Sequence, residues 1–186
     1  MQQFSFVIIF VSITLCACLI GATLSAKKNN NQPTTVDSVD LSRYVGMWYE
    51  IAKIPNRFQD NCAYGTTAEY LLCEDGKIEV INRCYDENGK LDKATGIAKV
   101  VDKASNAKLK VSFVSILGWR LFWGDYWIIG LDPDYRWAIV GTPDRKYGWI
   151  LSRSKLLSED VLNTIFDILR EHDYQPADFQ FTEHRE

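Results

Sequence analysis

Five cysteines and two histidines are the side chains of this 186-residue chain most suited to covalent or metal chemistry. Cys16 and Cys18 lie in an apolar N-terminal run, Cys62, Cys73 and Cys84 in the middle of the chain, and His172 and His184 near its end. Nucleophilic catalysis needs a nucleophile and a base in hydrogen-bond reach. Both histidines fall at or after the end of a C-terminal helical segment, and neither stands at a Cys/His spacing that would hold zinc. There is no phosphate loop and no redox motif. The expectation is a protein that is not an enzyme and carries no metal and no cofactor. A net charge of −3 leaves no basic patch, so nucleic acid is not an expected partner.

Trp48 and Arg153 offer non-covalent chemistry. An indole is a large apolar body with one N–H to satisfy. A guanidinium can lie over its face, a contact worth about 0.5–2 kcal/mol. Trp149, Leu151 and Arg153 share one face of a strand, because side chains alternate along it.

The elements that must position these residues are short and apolar. Eight strand-like runs cover about 47–54, 65–72, 77–85, 94–102, 107–114, 125–132, 136–141 and 147–153, each rich in β-branched and aromatic residues. Turn chemistry separates several of them, at Glu74-Asp75-Gly76, Glu87-Asn88-Gly89, Asp132-Pro133-Asp134 and Thr142-Pro143-Asp144. Closely spaced strands of this kind make an antiparallel sandwich or barrel. In Lys108-Leu109-Lys110-Val111-Ser112-Phe113 the lysines face water and the apolar residues face inward. Asp40 stands as the N-cap of a short helical turn, and Ser158 caps a helix over about 158–172 whose apolar stripe must rest on the sheet.

The first 26 residues carry no charged side chain and read as a leader or anchor. Leu15-Cys16-Ala17-Cys18 has the form of a bacterial lipobox, with Cys18 as the residue to be acylated. Leu19, at the position after it, favours sorting to the outer membrane. Two alternatives remain: cleavage near Leu24-Ser25-Ala26, which releases a soluble protein, and an uncleaved bilayer span. Residues 27–36 read as a flexible polar tether and residues 37–186 as one domain.

The stretch Gly46-Met47-Trp48-Tyr49-Glu50-Ile51 resembles the first signature of the lipocalin family. Gly124-Asp125-Tyr126 and Trp149-Ile150-Leu151-Ser152-Arg153 stand where that family carries its second and third motifs. Leu131 to Trp137, followed by Gly141-Thr142-Pro143-Asp144-Arg145, is similar to the outer-membrane lipoprotein branch, with likeness also to apolipoprotein D and the plant temperature-induced lipocalins. The resemblance spans about residues 37–180. It implies an all-β fold: an eight-stranded antiparallel up-and-down β-barrel with a C-terminal α-helix packed on the outside. It also implies a structural floor, in which Arg153 covers Trp48 beside Gly46.

On that fold, Ala68, Tyr70, Val80, Leu109, Val111, Phe113, Tyr126 and Trp149 are the expected cavity lining. Ala52, Gly96, Ala98 and Ala138 are expected as small inward residues, and no Lys or Arg is expected inside except Arg153 at the floor. The resemblance then implies binding, storage or transport of a fatty acid or lysophospholipid for cell-envelope maintenance, by a protein held on the outer membrane through an N-terminal acyl anchor. The alternatives are a secreted or periplasmic carrier of another small hydrophobe, and a filled barrel that acts as an interaction module. The apolar connector containing Trp119, Leu121, Phe122 and Trp123 would close the mouth as a lid, touch a bilayer, contact a second protomer in a homodimer, or pack on the barrel as strand. Cys62 and Cys84 fall at the open end and Cys73 at the floor. The third strand spans roughly 23 Å at ~3.3 Å per residue, so only Cys62–Cys84 meets the ~7 Å reach of a disulfide. A catalytic cavity cysteine, known in a few lipocalins, would have to be Cys73, and its turn position argues against that.

Overall fold

Alternating apolar and polar residues build antiparallel ladders whose turns are short and whose last strand returns to the first. The computed structural model describes residues 32–117 and 119–185. Its strands are β1 (Gly46–Lys53), β2 (Tyr64–Leu72), β3 (Ile78–Tyr85), β4 (Leu91–Val100), β5 (Lys108–Ser112), β6 (Val114–Ile116), β7 (Trp119–Leu121), β8 (Gly124–Leu131), β9 (Trp137–Gly141), β10 (Gly148–Ser152) and β11 (Gln180–Phe181). Eight of them, β1–β5 and β8–β10, pair in chain order, and β10 closes on β1 as an antiparallel neighbour. Strands β6 and β7 form a separate hairpin between β5 and β8.

Helix α1 (Leu41–Tyr44) stands under the barrel. Asp40 caps it, accepting from the Ser42 N–H at 2.9 Å. Helix α2 (Glu159–Glu171) is capped by Ser158, with Glu159 and Asp160 in its first turn and Arg170 in its last, where the helix dipole favours each. It buries Ile165 and Leu169 against Ile129, Trp137, Ile139 and Ile150 on the outer wall. The chain then returns beside β1. There β11 pairs Phe181 with Ala52 and Gln180 with Lys53.

Two corrections to the sequence reading come from a single irregularity. The register of β1 on β10 shifts between Glu50 and Ala52, so that Ala52 pairs with Ile150 and Lys53 with Trp149. One extra residue in a strand reverses the faces of those that follow. Ala52 therefore packs in the outer cluster under α2, not inside the barrel. Lys53 turns to the inner face, where no cation was expected.

Residues 33–36, read as part of a flexible polar tether over 27–36, lie against the barrel. Pro33 is buried, and the Val36 N–H donates to the Ile128 carbonyl at 3.0 Å. The edge of β8 beyond β5 needs backbone partners, and this segment supplies one. The leader and Cys18 lie outside the described residues.

Candidate functional site

The floor is built from the two ends of the sheet. Trp48 is fully buried and donates its indole N–H to the Tyr44 carbonyl at 2.8 Å. The Arg153 guanidinium lies 3.7 Å from the centre of the Trp48 ring. It donates to the carbonyls of Met47, Arg43, Tyr44 and Val45 at 2.7–3.1 Å. A cation that satisfies the last carbonyls of α1 while capping an indole closes this end. Gly46 holds φ +95°, and a Cβ there would sit 3.4 Å from the guanidinium, so the position favours glycine on both counts.

Above the floor, three tyrosines meet. The Tyr126 hydroxyl hydrogen-bonds those of Tyr44 at 2.7 Å and Tyr70 at 2.8 Å. Burial pushes the Tyr70 hydroxyl up to about 12 and those of Tyr44 and Tyr126 well above the usual phenol range. Three hydroxyls supply three protons, and the two shared bonds use two. One O–H of the chain is left to donate elsewhere.

The eight residues expected to line a cavity therefore divide. Ala68, Tyr70, Val80 and Leu109 are buried in the inner cluster with Trp48 and Tyr44. Val111, Tyr126 and Trp149 are part-exposed, and Phe113 is 38 % exposed at the mouth. Phe113 faces inward over Gly96, where an added Cβ would meet its ring carbons at 2.8 Å. Aromatic rings fill the lower barrel, and the part-exposed inward residues lie above them.

The upper half holds a polar network that sequence reading missed. Glu50 is 3 % exposed and faces inward beside Leu151. Its carboxylate accepts from Lys53 Nζ at 3.1 Å, Thr182 Oγ1 at 2.7 Å and Gln59 Nε2 at 2.6 Å. Gln59 Oε1 in turn accepts from the Trp149 indole at 3.0 Å. Thr66 is buried and its hydroxyl has no partner among the described residues. Glu50 was visible only as a motif residue. Lys53 needed the bulge, Thr182 the C-terminal return, and Gln59 the 3-10 turn Arg57–Gln59 that folds over the mouth.

Cys62 and Cys84 are bonded, with Cα atoms 5.5 Å apart. Beside them a rim groove of 560 Å³ is lined by Asp60, Asp86, Glu87, Asp92 and neighbouring residues. None of the eight expected cavity residues lines it, and we assign it no role. Cys73 is free, its thiol toward the Leu71 carbonyl. His172 and His184 sit outside the barrel and bond the carbonyls of Ile129 and Glu50. Among the described residues no group of three His, Cys, Asp or Glu converges as a metal site.

Residues 39–184 match the family described as the lipocalin-like domain. Temperature-induced lipocalin-1 of Arabidopsis thaliana is 40% identical over 142 residues, covering 75% of this chain and 76% of that protein. The outer membrane lipoprotein Blc of Escherichia coli (strain K12) is 37% identical over 147 residues, 78% of this chain and 80% of that protein. Insecticyanin from the tobacco hornworm Manduca sexta superposes with a TM-score of 0.67 at 26% identity, covering 83% of this chain and 85% of that chain.

Proposed function

The chain belongs to the lipocalin family, whose members bind small hydrophobic ligands, and from that premise we propose that it binds an amphiphilic lipid in the upper half of its barrel. The observation that carries this reading is the pairing of apolar and polar groups there. Val111, Phe113, Tyr126 and Trp149 offer apolar contact, and burying an acyl chain against them gains about 0.8 kcal/mol per CH₂. Lys53 uses one of its three N–H donors on Glu50, and the Thr66 hydroxyl is unmatched. A pure hydrocarbon would leave these groups unpaired, at a cost. A carboxylate, ester or phosphate would meet them. A fatty acid or lysophospholipid has both parts.

The likeness to an outer membrane lipoprotein supports acylation of Cys18 and an outer-membrane location, serving storage or transport of lipid in the envelope. The filled lower barrel favours a second reading, in which the protein is an interaction module without a ligand.

Native mass spectrometry of the full chain after mild delipidation tests the first reading. The expected result is a retained lipid mass and an N-terminus beginning at acylated Cys18. A mature N-terminus at Lys27 would remove the anchor. Titration with a lysophospholipid should quench tryptophan fluorescence, and Trp149→Phe should lose at least about half of that amplitude. No retained lipid, with equal quenching in both proteins, would leave the second reading.

A further inference from the structure

We infer that Glu50 sorts the amphiphiles this barrel takes by charge, favouring a head with no net charge and rejecting an anionic one. The inference rests on the lipid-binding reading above and ranks the heads which that reading allows. The inner face of the upper barrel is divided. Glu50 and Lys53 lie on β1, Thr66 shares the inward face of β2 with Ala68, and Asn82 stands opposite Ala68 on β3. Val111 and Phe113 stand on and just after β5, half-way round the ring from β1. A bound amphiphile has apolar contacts for its chain on one side and polar groups for its head on the other.

The charges among those polar groups already balance. The Lys53 ammonium lies 3.1 Å from one Glu50 oxygen, and the carboxylate also accepts from Thr182 and Gln59. Among the described residues Arg153 is the other inward cation. It lies against the Trp48 ring at the floor, with its N–H groups donated to backbone carbonyls. An ionised phosphate or carboxylate head would bring a second anion beside a buried carboxylate, where water screens it poorly. The Glu50 charge reaches into the barrel: burial is the main reason the Tyr70 hydroxyl titrates high, and Glu50 adds to it. A glyceryl ester brings no such charge. Its carbonyl would accept from the remaining Lys53 N–H groups or the unmatched Thr66 hydroxyl, and its hydroxyls would donate to Glu50. An ionised fatty acid therefore ranks below its glyceryl ester. A charge set against the wrong partner is a route to specificity.

The test compares a monoacylglycerol with the lysophosphatidate of the same acyl chain, two lipids that differ only in the phosphate. Each is titrated into the full chain as monomer, with tryptophan fluorescence as the readout. We expect the monoacylglycerol to bind at least about ten-fold more tightly, at low and high salt alike, because the carboxylate is buried. Glu50→Gln frees Lys53 for the phosphate and should cut that preference at least about five-fold, with unchanged near-ultraviolet dichroism. Lys53→Gln leaves Glu50 unneutralised and should widen the preference. If Glu50→Gln lacks the native dichroism, Lys53→Gln decides alone. Equal affinity of the wild-type protein for the two lipids would overturn the inference and leave the lipid-binding reading standing. A preference that neither variant changes, or that high salt removes, would also overturn it, since it would then come from the net charge of −3 on the whole chain. Binding of neither lipid would overturn the reading and the inference together.

Discussion

Lys53 faces Trp149 across the β1–β10 ladder on the inner side of the barrel, because the strand bulges just before it. The pair is joined through Glu50 and Gln59: ammonium to carboxylate, carboxylate to amide, amide to indole. The lysine side chain is 12% exposed and the glutamate 4%. A buried ion pair is weak evidence for stability, since desolvation offsets attraction. Here the network ties the loop after β1 to the barrel wall.

Gln59→Leu should break that tie. The Glu50 carboxylate and the Trp149 indole would each lose a partner, at a cost of about 1–3 kcal/mol. We expect a lower midpoint in urea and faster proteolysis within the loop after β1. An unchanged midpoint would mean that water replaces the amide without loss.

Arg153→Ala should open the floor. It removes the stacking on Trp48 and the donors to the carbonyls of Arg43, Tyr44, Val45 and Met47. The expected loss is about 2–4 kcal/mol. Arg153→Lys keeps the charge without the planar fork and should recover less than half of it. Equal stability of Arg153→Lys and wild type in urea would count against the geometry.

The tyrosine chain should make stability depend on high pH. Folding raises the Tyr70 hydroxyl from 10.0 to about 12. The folded state therefore holds its proton more tightly, and the contribution is complete below pH 10. It is lost as pH rises from about 10 to about 12, at roughly 1.4 kcal/mol per unit for each such tyrosine. Urea unfolding at pH 8 and pH 11, with absorbance near 295 nm as the readout of ionisation, checks this. Tyr126→Phe should cost about 1–2 kcal/mol at pH 7, since Tyr44 and Tyr70 both lose a partner.

Reduction should weaken the open end without dissolving the barrel. The Cys62–Cys84 bond spans 22 residues. Constraint of a loop of that size contributes about 3 kcal/mol. Cys84→Ser should lower the thermal midpoint by several degrees and leave far-ultraviolet dichroism native.

The sequence by itself determined the eight barrel strands, their turns and the two ends of the barrel, but not the β6–β7 hairpin or β11. Ile78-Glu79-Val80 and Lys108 to Phe113 alternate with period two, and that pattern is local, so it is readable without a partner strand. The floor was legible for a related reason: Trp48 opens the first strand, Arg153 follows the last, and antiparallel closure must bring them together. Only the tertiary structure decided what the interior contains. The bulge that turns Lys53 inward arises where β1 leaves β2 to pair with β11, a contact between residues 52–53 and 180–181. The filling of the lower barrel depends on Tyr44, Tyr70 and Tyr126 converging from three separate elements. Periodicity assigns a side chain to a face. It does not say how far into a shared space three rings will reach, because that is settled by packing among groups distant in the chain.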